Sequence, residues 1–432
     1  MCALLSGAGA RAASRDPRPF SQGGLGAVKR TAIRSAVVAA WVWAGLVFSS
    51  PARAVTADAP AKAVPDLSTP SSRARIRRLH PLRRKVGNRT TLAANRHRSS
   101  LRNSWLVSSF GDPGLGDNLA GEDPVIRQAA LEAIGNLNGS VVVVDPNTGR
   151  ILSIINQRLA LTGAFTPCST LKPMAAFAGL SEGIISSDTR LPAEGRCRVF
   201  FRAPRINVQQ ALAESDNDFF YRLGEMLGYT RVARYFHDEF GLGERAGLDI
   251  AGESAGVFPL SPPRDGGVGR LTYFGQDIEM TPLQLAAFAS AVANGGTLYY
   301  LQYPRTPEDL ADFQPVVRRR LDDIASFIPE VRQGMAGTVQ FGTGKLAYNP
   351  DQRLFGKTGT CSENGAHLGW FASFSQGEQP DHVVVVLLRG GPPMFGPHAA
   401  EIAGRVYRGL LANAKLNTQD GGQDPTGAPA NQ

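Results

Sequence analysis

The chain has 432 residues, 43% of them apolar and 19% charged, with 48 Gly, 29 Pro and 4 Cys. That composition excludes a wholly disordered chain, and the length allows one large domain or two or three smaller ones. Four cysteines without a C-x-x-C pair exclude a disulfide scaffold and a zinc ribbon. The net charge of +9 divides unevenly: residues 1–102 hold 19 basic and 3 acidic residues, and the remainder holds 27 basic and 34 acidic. The folded part is therefore mildly acidic, and a nucleic-acid-binding domain is not expected.

Lys29, Arg30 and Arg34 precede an apolar run over 36–48, followed by small residues ending Ala52-Arg53-Ala54. The run is shorter than the roughly 20 residues a membrane span needs. Residues 1–54 read as a secretory signal peptide or, in the competing reading, a short uncleaved anchor. Either way the rest is expected to be exported, to the periplasm or the outer face of the cytoplasmic membrane, where disulfides persist. Residues 55–104 read as a basic, disordered linker. Its stretch 73–102 carries eleven basic residues and no acidic one, which suits a solvated tether or adhesion to an anionic membrane or cell-envelope surface. Residues 105–415 form the globular part, and 416–432, rich in Gly, Gln, Asp and Pro, read as a disordered tail.

Within the globular part, a helix is expected over 124–134. The run Ser140–Val144, the turn Asp145-Pro146-Asn147-Thr148-Gly149 and the return Arg150–Ile155 predict a hairpin, and so a sheet that is at least partly antiparallel. Helices are expected at 169–182, 230–239 and 282–294, the last with Thr281 as N-cap, Pro282 in the first turn and Gly295 past the end. Strands follow at 368–374 and 383–388, and a final helix at 398–412. This order lacks the strict alternation of a doubly wound fold.

Three short motifs punctuate the chain: Ser169-Thr170-Leu171-Lys172, Ser215-Asp216-Asn217 and Lys357-Thr358-Gly359-Thr360. Each alone is weak, but together and in this order they carry a chemistry. A hydroxyl needs a base to become a nucleophile. Ser169 and Lys172, three apart on a helix, face the same side. Lys172 must lose its proton to act as base, which burial and a second cation, Lys357, would favour. Arginine could not serve, because it stays charged. Only seven of the 46 basic residues are lysines, and two of them stand in these motifs. The bland alternatives are that Ser169 caps a core helix, that Ser215-Asp216-Asn217 is an N-cap, and that Lys357-Thr358-Gly359 is a turn. On the catalytic reading, Lys357-Thr358-Gly359 lies on an edge strand facing the nucleophile, with Gly359 letting another backbone approach.

With these motifs the chain resembles the transpeptidase domain of penicillin-binding proteins, over about residues 120–412. The resemblance extends to VVVVDPNTGRILSI, CSTLKPMAAFAGL, ALAESDNDFFYRLG, FGLGERAGLDIAGESAG, MTPLQLAAFASAVANGG, MAGTVQFGTG and GKTGTCSENGAHLGWFASF. It implies an α/β fold: an antiparallel sheet flanked by helices, an adjoining all-helical lobe, and the active site between them. It implies Ser169 as acylated nucleophile, Lys172 as general base and Ser215 as proton relay. Asn217 would contact peptide or Lys172, Lys357 would shape the field, and Thr358 with Thr360 would hold the substrate carboxylate. The backbone N–H groups of Ser169 and Thr360 would form the oxyanion hole. The implied partners are peptidoglycan stem peptides ending in D-Ala-D-Ala, and β-lactams. No metal or cofactor is implied.

The sequence departs from the family in its short segment 156–168, in Gly275-Gln276-Asp277 where G-Q-G is common, and in S-D-N where S-C-N is common. It has no room for a glycosyltransferase domain, and nothing in it resembles the N-terminal pedestal of larger synthases. Cys168 and Cys361 directly flank Ser169 and Thr360, and a disulfide beside the nucleophile is similar to that of some class A β-lactamases; a Cys168–Cys361 bond is expected, leaving Cys197 unpaired. His367 is either a site residue or a hydrogen-bonded loop residue. The alternatives to a D,D-transpeptidase are a D,D-carboxypeptidase, a serine β-lactamase, for which Glu253 is the weak candidate for a deacylating base, and a β-lactam sensor without turnover.

Overall fold

The computed structural model describes residues 105–193, 205–377 and 382–420, with side chains described as far as residue 415. The expected signal or anchor, the basic linker, Cys197 and residues 421–432 lie outside the described residues. In chain order the principal elements are α1 (Pro124–Ile134), β1 (Gly139–Val144), β2 (Ile151–Ile155), α2 (Lys172–Ser181), α3 (Val208–Glu214), α4 (Asn217–Ala233), α5 (Gly267–Phe274), α6 (Pro282–Asn294), α7 (Ile328–Gln340), β3 (Arg353–Glu363), β4 (Ala366–Gln376), β5 (Val383–Gly390) and α8 (Gly396–Asp420).

The strands form one antiparallel sheet in the order β2-β1-β5-β4-β3. Val142 of β1 faces Val385 of β5, and Lys357 of β3 faces Ala372 of β4. The valine runs of β1 and β5 lack polar alternation because both faces of the sheet are covered. On one face Val141, Val143, Val384 and Val386 pack with Ile126, Ile134, Ala403 and Tyr407 of α1 and α8. On the other, Val142, Val385, Leu387 and Trp370 pack against Leu171, Met174, Phe177 and Phe288 of the helical lobe. The mixed α/β architecture, an antiparallel sheet with helices on both faces and a helical block beside it, is the expected fold.

Local chemistry sets the element ends. Thr281 and Gln284 form a capping box at α6, with Thr281 Oγ1 accepting from Gln284 N (3.1 Å) and Gln284 Oε1 accepting from Thr281 N (2.8 Å). Gly295 closes that helix with φ 94°. The helix expected from 169 starts at Lys172 instead, after a 3-10 turn over Cys168–Leu171. Pro173 has no N–H to give the carbonyl of Ser169, so the Lys172 N–H closes the tighter i→i−3 bond. The helix expected at 230–239 is the end of α4, beyond a non-helical Gly228 (φ 72°), followed by a π-type turn over Arg234–Glu239. The closing helix runs to Asp420, past the expected 412, so the start of the expected disordered tail is helical instead. Asn417, Thr418 and Gln419 open the polar stretch on which the tail expectation rests, and a helix tolerates such residues in its last turn.

Candidate active site

Three elements converge at the seam between the sheet and the helical lobe. The first is the turn that carries Ser169. Its approach is fastened to the sheet: Thr166 N donates to Glu363 Oε2 (2.7 Å), and Thr166 O accepts from Trp370 Nε1 (3.0 Å). Cys168 and Cys361 are joined as a disulfide, Cα to Cα 5.8 Å, tying the turn to β3 beside Thr360. Cys168 has φ 53°, in the left-handed region that side chains disfavour, one residue before Ser169. Ser169 is half-buried, one turn ahead of the fully buried Lys172.

The second element is the joint between α3 and α4. Ser215 closes α3 in a left-handed conformation, φ 57° and ψ 42°. Asp216 is the N-cap of α4, its carboxylate accepting from Phe219 N at 2.7 Å. Asn217 is the first residue of α4. The three residues thus divide the work. The middle side chain starts the helix, and Phe219, Phe220 and Leu223 behind it are fully buried. The outer two turn to Lys172. The capping and catalytic readings of this motif are therefore compatible. Asp216→Ala is expected to lower stability by about 1 kcal/mol through the lost cap, read as a shift in thermal unfolding.

The third element is β3, the edge strand. Lys357 is fully buried on it and Thr358 nearly so, while Thr360 is exposed. A Cβ at Gly359 would stand 3.0 Å from Pro167 O and 3.0 Å from Thr170 Cγ2. A side chain there would push the turn that carries Ser169 off the strand, which is the physical reason for glycine at this position.

The side chains meet in one network. Lys172 Nζ donates to Ser215 O (2.6 Å), to Asn217 Oδ1 (2.7 Å) and to Ser215 Oγ (3.2 Å). Lys357 Nζ donates to Ser215 Oγ from the other side (2.7 Å) and to Thr358 O (2.9 Å). The Ser215 hydroxyl therefore bridges two buried amines. Burial foremost, and then the Lys172 charge, push the Lys357 amine well below the ordinary lysine value of 10.5. The sequence reading treats Lys357 as a fixed cation; the structure instead buries that amine beside Lys172, the two joined through the Ser215 hydroxyl.

Several contributors were not singled out in the sequence. Thr343 Oγ1 lies 2.5 Å from Thr358 Oγ1, and Gly396 N donates to Thr360 Oγ1 (2.9 Å). Trp370 and Glu363 hold Thr166, in the turn that leads to Ser169, as described. The only signal for Thr343 was its place in the family-like segment MAGTVQFGTG. His367 lies on β4, not in a loop, with Nδ1 2.8 Å from Ser362 Oγ. Glu253 is buried, and its Oε1 accepts from Gly247 N (3.0 Å). No group of three or more His, Cys, Asp or Glu side chains among the described residues is placed to hold a metal.

The family model described as the penicillin binding protein transpeptidase domain matches residues 139–408. Stage V sporulation protein D of Bacillus subtilis is 30% identical over 287 residues, covering 60% of this chain and 44% of that protein. Peptidoglycan D,D-transpeptidase MrdA of Acinetobacter baumannii is 24% identical over 383 residues, covering 71% and 56%. The chain thus spans about half the length of the curated relatives it matches. The solved transpeptidase domain of Burkholderia pseudomallei penicillin-binding protein 3 shares the fold with a TM-score of 0.58 at 21% identity, over 70% of this chain and 98% of that one. With the domain model spanning most of the sheet and the helical lobe and all three motifs, the chain belongs to the penicillin-binding protein transpeptidase family.

Proposed function

We propose that this chain is a serine D,D-transpeptidase that forms an acyl-enzyme on Ser169 with stem peptides ending in D-Ala-D-Ala and is acylated there by β-lactams. The observation that carries the proposal is the Ser215 hydroxyl held between Lys172 and Lys357, with Lys172 itself one turn beyond the half-buried Ser169. The names of the relatives, peptidoglycan D,D-transpeptidases among them, support the same reading.

In this mechanism the Ser169 hydroxyl attacks the carbonyl of the penultimate D-Ala and passes its proton to Lys172. The bond from Ser169 Oγ to that carbon forms, and the oxygen takes negative charge. The backbone N–H groups of Ser169 and Thr360 receive it. Removal of one such donor typically costs about a hundred- to a thousandfold in rate. The disulfide between their neighbours supports this placement, because it holds the two elements together. Collapse breaks the carbon–nitrogen bond, and the proton reaches the departing D-Ala amine through Ser215. An amine from a second stem then displaces Ser169, giving a crosslink; water in its place gives carboxypeptidase activity. Thr358 and Thr360 receive the terminal carboxylate, next to the Lys357 amine. Glu253 is engaged with its own loop, so nothing favours a β-lactamase over a transpeptidase.

The coupled amines predict a pH dependence. The Lys357 amine, buried and next to the Lys172 charge, gives up its proton below 10.5, which removes a positive charge beside the amine that takes the Ser169 proton, so acylation should change with pH on a limb below 10.5 and rise along it. In the same window the unfolded chain binds more protons than the folded one. The Lys357 contribution to stability therefore grows as pH rises towards 10.5 and is lost as pH falls through its lowered value. Penicillin acylation rates measured from pH 6 to 10 check the first claim; a profile that is flat or falls throughout contradicts it.

Export is part of the proposal. The charged stretch, apolar run and A-x-A site before residue 55 support a signal peptide or anchor, and the disulfide suits an oxidising compartment. The periplasm or the outer face of the cytoplasmic membrane follows, with residues 73–102 as a tether that adheres to anionic surfaces. The activity is tested with a pentapeptide stem mimic and an amine acceptor. D-Ala release with crosslinked product supports a transpeptidase, D-Ala release without it a carboxypeptidase, and no release contradicts both.

A further inference from the structure

The turn Gly275-Gln276-Asp277-Ile278 borders the nucleophile and is not used by the mechanism above. A Cβ at Gly275 would lie 2.5 Å from Pro167 Cγ and 3.1 Å from Leu171 Cδ1, the two residues that bracket Cys168-Ser169-Thr170. Phe165 and Met280 exchange both backbone hydrogen bonds, Phe165 N to Met280 O (3.0 Å) and Met280 N to Phe165 O (2.9 Å). The ring of Tyr273, two residues before the turn, lies 6.0 Å from Lys172 Nζ. Residues 273–280 thus run beside the nucleophile turn and are fixed to the site at several points, with Asp277 between them.

The backbone of this turn does not call for aspartate. Ile278 N donates to Gly275 O (3.0 Å), and Asp277 at the third position has φ 63° while Gln276 does not have positive φ. That is a type II turn, which favours glycine at this place. Aspartate tolerates the left-handed region better than most side chains but less well than glycine. What aspartate adds is charge. Its side chain is exposed, one carboxylate oxygen accepts from Gln276 Nε2 (2.7 Å), and it forms no ion pair among the described residues. A negative charge with no ion pair among the described residues therefore stands on the turn whose Gly275 packs against Pro167 and Leu171.

We propose that Asp277 is a specificity-determining residue that favours substrates presenting a cationic amine near the scissile bond and disfavours those presenting an anion there. This rests on Ser169 being the acylated nucleophile. A lysine-like amine is charged at neutral pH, and a rim carboxylate raises its local concentration at the site. At a partly exposed rim the attraction is modest and screened by salt.

The test uses three penicillins whose side chains carry an ammonium, no charge, or a carboxylate. Second-order acylation rates are measured on the full chain, on Asp277→Asn and on Asp277→Gly, at low and high salt. The expected result is that the ammonium-to-carboxylate rate ratio falls about three- to tenfold in both variants at low salt. The uncharged penicillin should react with all three proteins at rates within about twofold, and high salt should narrow the wild-type ratio. An unchanged ratio in Asp277→Asn overturns the proposal. So does an equal slowing of all three penicillins in both variants, which would make Asp277 a structural residue of the turn. Absence of acylation of the wild-type protein by any of them would overturn the reading of Ser169 and this inference with it.

Discussion

Lys172→Arg should be as inactive towards β-lactams as Lys172→Met, each acylating about a hundred- to ten-thousandfold more slowly than the wild type. The two substitutions separate charge from basicity. Arginine keeps a cation near Ser215 and Asn217 but cannot release its proton at any pH the fold survives. Methionine removes both charge and base while roughly keeping the volume. If the lysine serves only as a fixed positive charge, arginine should restore part of the rate. If it serves as the base, neither should. Folding is the control. Lys172 is fully buried and donates to Ser215 O and Asn217 Oδ1, so either change leaves acceptors to find new partners. Thermal unfolding of each variant, measured with the acylation rate, shows whether a loss of rate comes with an intact fold. Recovery of rate in Lys172→Arg would contradict the assignment.

The second large effect concerns the disulfide. Cys168 and Cys361 are separated by 193 residues, and closing so long a loop restricts the unfolded chain strongly. On the chain-entropy account a link of this span contributes up to about 5 kcal/mol, and engineered losses often come out smaller. The paired change Cys168→Ala and Cys361→Ala should therefore lower the unfolding midpoint by about 10 °C. A second consequence is local. The link fixes the residue before Ser169 to the residue after Thr360. Its removal should slow acylation more than it weakens initial β-lactam binding, because alignment matters most where charge develops. Equal midpoints and equal rates for the oxidised protein and the double variant would remove the disulfide from both roles.

Much of this was legible along the chain because it depends on local chemistry. Asp145-Pro146-Asn147-Thr148-Gly149 marks a hairpin, and Thr281, Pro282 and Gly295 mark the ends of a helix by rules that act within a few residues. The valine runs of β1 and β5 announce strands buried on both faces. What was not legible depends on pairing across distance. Lys172 meets Ser215 across 43 residues, and Ser215 meets Lys357 across 142. No periodicity reports such contacts; only the resemblance of the motifs brought these residues together in advance. Thr343, Trp370 and Gly396 were missed for the same reason, since each reaches the site through sheet register or helix placement. The start of α2 was misplaced for a smaller reason, the missing N–H of Pro173. The division of Ser215-Asp216-Asn217 into two site residues around a cap became visible only once α3 ended in a left-handed residue.

The central claim is that the hydroxyl of Ser169 is the atom acylated. The most direct measurement is mass-spectrometric mapping of the protein after reaction with a penicillin. The penicilloyl mass should appear once, on the peptide that contains Ser169, and vanish in Ser169→Ala while the variant still folds. An adduct that survives in Ser169→Ala, or maps to Ser215 or to another residue, would contradict the account.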